Sequence, residues 1–111
     1  MLVTDAMPTV GSDIRNFRVA GTEVVASQGM LRSGDGTLAG SDLDMASALR
    51  NCVEMMGVDL ASVSHMASTT PAAFMGIGGS HGRISEGYRA DLVHLDDSLR
   101  VRNVWVAGDR G

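Results

Sequence analysis

Apolar residues open the chain without alternation: Met1-Leu2-Val3 runs straight into Thr4, Asp5, Ala6, Met7 and Pro8. Such a run predicts a strand covered on both faces, the habit of parallel sheets. From Phe17 to Arg32 the pattern shifts to short segments broken at Ala20-Gly21 and Gln28-Gly29, which predicts hairpin strands over Phe17 to Ala20, Thr22 to Ser27 and Met30 to Arg32. Ser33-Gly34-Asp35-Gly36 reads as a turn, and Thr37 to Gly40 as the lead into a helix with Ser41 as N-cap and Asp44 completing a capping-box-like start. Met45, Leu49, Cys52 and Met56 recur at helical spacing and end at Gly57. A second helix is expected from Asp59 through Leu60, Val63, Met66 and Ala67, and a short third from Thr70-Pro71 to Gly76. Strand-like segments follow at Ala90 to Leu95 and Val101 to Ala107, and Gly108 to Gly111 reads as a turn with no strand after it.

Composition narrows the class. With 111 residues, 44% hydrophobic and 20% charged, the chain has room for one small domain or a piece of a larger one, and it lacks the signature of disorder. The net charge of -4, with nine scattered arginines and no lysine, excludes a phosphate-neutralising surface, so nucleic acid is not an expected partner. The single Cys52 allows no internal disulfide, and no run approaches the roughly 18 apolar residues of a membrane span. A soluble, cytoplasmic setting without a membrane partner is the expectation. The eight methionines, spread over helix and loop, read as flexible core filling.

Among candidate chemical groups, Asp5 stands where the first strand meets a loop. An aspartate there has two readings: a cap for the backbone N–H groups of the loop, or an acid–base group at the end of a strand. His65, His81 and His94 lack the spacing of a His-x-His or His-x-x-x-His pair, so a structural or solvent-facing role is expected and no metal ligand is assigned. Gly76-Ile77-Gly78-Gly79 follows a helix instead of opening one, the reverse of a dinucleotide loop.

Leu2-Val3-Thr4-Asp5-Ala6, Gly36-Thr37-Leu38-Ala39-Gly40-Ser41, and Pro71-Ala72 with Gly82, Gly87 and Ala90-Asp91-Leu92 stand in this order. Together they resemble the C-terminal third of N-acetylglucosamine-6-phosphate deacetylases, metal-dependent amidohydrolases. The tail from Pro71 is shared by many amidohydrolases, whereas the first two segments are more specific.

The resemblance implies an α/β fold: residues 1–77 as the C-terminal portion of a TIM (β/α)8 barrel, with its last strand, a hairpin and helices, and residues 78–111 as part of a small β-sandwich domain. It also implies hydrolysis of the acetamide of N-acetyl-D-glucosamine 6-phosphate, a small-molecule substrate, to glucosamine 6-phosphate and acetate in amino-sugar catabolism. Asp5 would be the general base and then acid, and Leu38, Ala39 and Gly40 would touch the N-acetyl end of the sugar. A carboxylate suits the task because an amide nitrogen leaves poorly unless protonated.

The family's divalent metal, commonly zinc, would lower the pKa of its water and polarise the carbonyl. Its ligands match no residue of this chain. The expectation is therefore a fragment of a parent enzyme, a homodimer by resemblance, that alone neither binds zinc tightly nor deacetylates. Two alternatives stay open: a dihydroorotase-like or D-amino-acid deacylase-like amidohydrolase, and a non-catalytic interaction module.

Overall fold

A computed structural model describes residues 1–27 and 29–111; Gln28, half of the predicted Gln28-Gly29 break, lies outside them. Two compact units are present, one over Val3–Ala48 and the other over Met1–Leu2 with Leu49–Gly111.

In the unit of residues 3–48, β1 (Asn16–Val19), β2 (Thr22–Ser27), β3 (Met30–Ser33) and β4 (Leu38–Ser41) form an antiparallel sheet in sequential order. Ala20 and Gly21, with φ of 48° and 84°, make the two-residue turn between Val19 and Thr22, whose twist suits a hairpin. Val24 and Leu31 are buried on the sheet. The strand β4 differs from the expected helix lead-in. Ala and Gly favour strands little, and pairing with β3, Leu31 against Gly40 and Met30 against Ser41, is what extends this segment.

Ser41 is consequently not a helix cap. Asp44 caps α1 (Met45–Met56): its carboxylate accepts the Ser47 N–H at 2.8 Å, and its carbonyl accepts from Ala48 at 2.9 Å. The expected stripe shifts as well. Ala48 and Cys52, one turn apart, are the buried positions, while Met45 and Met56 are exposed. Met55 and Met75 are also exposed, so these four methionines do not fill a core.

The expected strand over the first residues is not formed. A strand needs ladder partners, and among the described residues only Ala6 makes a bridge, parallel, to Ser41. The Leu2 amide instead donates to the Met66 carbonyl at 2.7 Å.

The second and third predicted helices join. Asp59 caps α2 (Leu60–Ser64) through the Ser62 N–H at 2.9 Å, a π-helical turn covers His65–Thr69, and α3 (Thr70–Phe74) continues from it. The Thr70 N–H reaches back to the His65 carbonyl, five residues away. This wide turn carries Pro71 within a continuous helix, where a regular α turn would set its ring against the carbonyl four residues earlier. Val63 is fully buried, worth about 1.5–3 kcal/mol relative to exposure.

The antiparallel sheet of β5 (Leu92–Leu95), β6 (Val101–Val106) and β7 (Asp109–Arg110) closes the chain. The terminal residues do return as a strand: Ala107 and Gly108, with φ of 55° and 91°, form a two-residue turn that pairs Val106 with Asp109 and Trp105 with Arg110. On one face Val93 lies opposite Val104, with Val106 beyond it, at 59%, 38% and 56% exposure. No helix among the described residues is long and apolar enough to cross a membrane.

Candidate active site

The Asp5 loop is built against β4. Ser41 N–H donates to the Asp5 carbonyl at 3.0 Å and Met7 N–H donates to the Ser41 carbonyl at 3.1 Å, the paired bonds of the parallel Ala6–Ser41 bridge. The Ser41 hydroxyl donates to the Thr4 carbonyl and accepts the Leu43 N–H at 3.3 Å.

Glycine permits this approach. Gly40 is buried with a φ of 139°, and a Cβ there would meet Met7 Cγ at 2.7 Å and the Asp5 carbonyl oxygen at 3.2 Å. The space a Gly40 side chain would need is taken by Met7 and the Asp5 backbone.

Asp5 has a φ of 54°, the left-handed region that aspartate enters more readily than most residues, and it is exposed. Among the described residues no hydrogen bond engages its carboxylate, so capping of the following loop, one of its two sequence readings, is not what it does. Leu38 is 62% exposed and pairs with Arg32, and Ala39 is half-buried. The fold therefore brings Gly40 and Ser41 against Asp5, and Leu38 and Ala39 stand just before them on the same strand. Beside this loop, residues 9–13 with Arg15, Asp42 and Asp44 line an open depression of about 550 Å3; the Thr9 hydroxyl is buried with no partner among the described residues.

The donors needed for a metal do not converge. Among the described residues no three His, Cys, Asp or Glu side chains form a cluster able to hold an ion. His65 is exposed at the π turn, His81 Nδ1 is 2.8 Å from the Ser80 hydroxyl, and His94 Nδ1 is 3.0 Å from the Asn103 amide. The residues present do not fit a metal centre.

Sequence reasoning missed Ser41. Its hydroxyl reads equally well as a cap, and only the pairing of β4 reveals its partners. The Ala90-Asp91-Leu92 segment has a structural task instead. Ala90 carbonyl accepts the Gly108 N–H at 2.9 Å, and Asp91 accepts the Ala107 N–H at 2.8 Å, tying down the β6–β7 turn. That amide, and then the Arg89 guanidinium at 2.8 Å, hold the Asp91 carboxyl below the usual carboxylate range.

A helix with an embedded Pro-Ala, a small terminal sheet tied by Ala-Asp, and an aspartate loop clamped to a Gly-Ser strand make up a mixed α/β chain. The amidohydrolase family profile matches residues 3–111, and the chain belongs to the amidohydrolase family. Within it, the chain is 46% identical over 109 residues to the N-acetylgalactosamine-6-phosphate deacetylase of Shewanella sp. (strain ANA-3), covering 98% of this chain and 27% of that one. It is 35% identical over 112 residues to the N-acetylglucosamine-6-phosphate deacetylase of Bos taurus, again covering 98% and 27%. The crystal structure of N-acetylglucosamine-6-phosphate deacetylase from Pasteurella multocida superposes with a TM-score of 0.94 at 29% identity, covering 98% of this chain and 29% of that one. The chain spans less than two thirds of the length of the curated relatives it matches.

Proposed function

We propose that this chain is the C-terminal segment of a deacetylase that hydrolyses the acetamide of an N-acetylated amino-sugar 6-phosphate, N-acetylglucosamine 6-phosphate in the first instance. In this reading residues 1–77 belong to a TIM barrel and residues 78–111 to a β-sandwich; the exposed valine face of Val93, Val104 and Val106 supports the second assignment, since a sandwich buries such a face. The single observation that carries the catalytic reading is the Asp5 carboxylate, exposed on a loop whose backbone is fixed by Ser41.

Water attacks the acetyl carbonyl while Asp5 takes its proton. The carboxylic acid so formed gives the proton to the nitrogen as the C–N bond breaks, releasing acetate and the free amine. Leu38, Ala39 and Gly40 contact the N-acetyl end in this scheme, through backbone groups of β4. The family's divalent ion, zinc in our reading, is held by residues other than these, and the 111 residues alone release no acetate. Stoichiometric zinc together with acetate release by the isolated chain overturns that. The full-length enzyme is proposed to be a cytoplasmic homodimer.

Asp5→Asn in the full-length protein tests the reading. A loss of about 10²–10⁴-fold in kcat is expected, the usual share of general acid–base catalysis. Retention of wild-type kcat refutes it.

A second reading concerns the epimer. Identity is 46% to the Shewanella relative named for N-acetylgalactosamine 6-phosphate and 35% to the bovine one named for N-acetylglucosamine 6-phosphate. The higher identity supports the galacto sugar, which differs only at C4, as the alternative substrate. Comparing kcat/KM for the two sugars decides between them.

A further inference from the structure

We infer that Ser41 is a positioning residue for the proton-transferring aspartate, an inference that rests on the proposed role of Asp5. Among the described residues Thr4 and Asp5 are hydrogen-bonded through Ser41 alone: its hydroxyl donates to the Thr4 carbonyl and its N–H donates to the Asp5 carbonyl at 3.0 Å. Its own carbonyl receives the Met7 N–H at 3.1 Å, so one residue fixes the backbone on both sides of Asp5. The hydroxyl also accepts the Leu43 N–H at 3.3 Å, a second bond that directs it.

This grip matters because Asp5 sits at a φ of 54°, a conformation uncommon for a residue with a Cβ, even though aspartate adopts it more readily than most, so the backbone bonds on either side help to hold it. No ladder supports residues 3–5 otherwise. Releasing the Thr4 carbonyl frees the peptide that leads into Asp5, and the carboxylate swings with it. Misplacement of a catalytic group by about 1 Å costs on the order of 10²-fold in rate. Substrate affinity does not depend on that hydroxyl, because its hydrogen bonds are with backbone groups of the chain.

Wild type, Ser41→Thr, Ser41→Val and Asp5→Asn are compared in the full-length enzyme. Threonine keeps the hydroxyl and valine replaces it with a methyl of similar volume; Ser41→Ala makes the same comparison if valine does not fold. The expected result is a fall of about tenfold or more in kcat for valine, KM within about threefold, and recovery to within about threefold of wild type for threonine. Hydrogen exchange of the Met7 and Ser41 amides should speed up in the valine variant and return in the threonine variant. Wild-type kcat in the valine variant beside an inactive Asp5→Asn overturns the role of Ser41 and leaves that of Asp5 standing. An active Asp5→Asn overturns both. Unchanged exchange in the valine variant overturns the clamp regardless of activity.

Discussion

The Leu2 N–H donates to the Met66 carbonyl at 2.7 Å, and Pro71, five residues after Met66, has no N–H to compete for it. In the π turn the Thr70 N–H reaches the His65 carbonyl five residues back; the residue at the same spacing from Met66 is Pro71, which has no N–H. A helix irregularity thereby becomes an anchor for the first residues of the chain.

Pro71→Ala supplies a competing donor to Met66. The Leu2 amide is expected to exchange with solvent about tenfold faster or more in this variant, measured by NMR hydrogen exchange, as its bond is opened more often. Unaltered Leu2 protection would show that the missing proline N–H is not what keeps Met66 available.

Gly82 packs tightly against this helix. A Cβ there meets Ala72 Cβ at 2.6 Å and the Ser68 carbonyl oxygen at 2.8 Å, at a φ of 88°, while the Gly82 carbonyl accepts the Thr69 hydroxyl at 2.7 Å. Gly82→Ala should lower stability by about 1–3 kcal/mol from overpacking, with backbone strain added. Gly79→Ala, where a Cβ meets nothing within 4 Å, should change it by less than about 0.5 kcal/mol. Thermal or denaturant unfolding of both variants compares them directly.

Asp35 reports on the β3–β4 turn. The Ser33 hydroxyl at 2.6 Å and the Thr37 N–H at 3.0 Å bind its carboxylate and bring its pKa down from 3.8 to about 2. A depressed folded-state value stabilises the fold above the unfolded pKa near 3.8, and this contribution is lost as pH falls through 2. A carboxyl NMR titration should find the low midpoint, and Ser33→Ala should raise it toward 3.8.

Thr9 is 1% exposed, and its hydroxyl has no partner among the described residues. Thr9→Val removes an unsatisfied buried group at constant shape, so the variant should be as stable as wild type or more so, by about 1 kcal/mol. A clear loss in unfolding free energy would reveal a partner for that hydroxyl.

What the sequence could determine was local. Ala20-Gly21 between hairpin strands, Gly57 at the end of α1 and the start of a helix at Asp59-Leu60 each follow from local preferences of those residues, and they were legible without coordinates. The ordered motifs around Asp5, Leu38 to Gly40 and Ala90-Asp91 were likewise enough to indicate an amidohydrolase, since they are strings of residues.

Tertiary structure decided whatever depends on a partner distant in sequence. Leu38 to Ser41 is a strand because β3 offers a ladder, not because its residues favour one. Residues 1–5 lack a ladder and so form no strand, in spite of their apolar run. Ser41 became a clamp once Thr4 and Asp5, 37 and 36 positions away in number, came within hydrogen-bond reach of it. A hydroxyl carries no record in the sequence of which carbonyl it will meet; only the folded backbone supplies that.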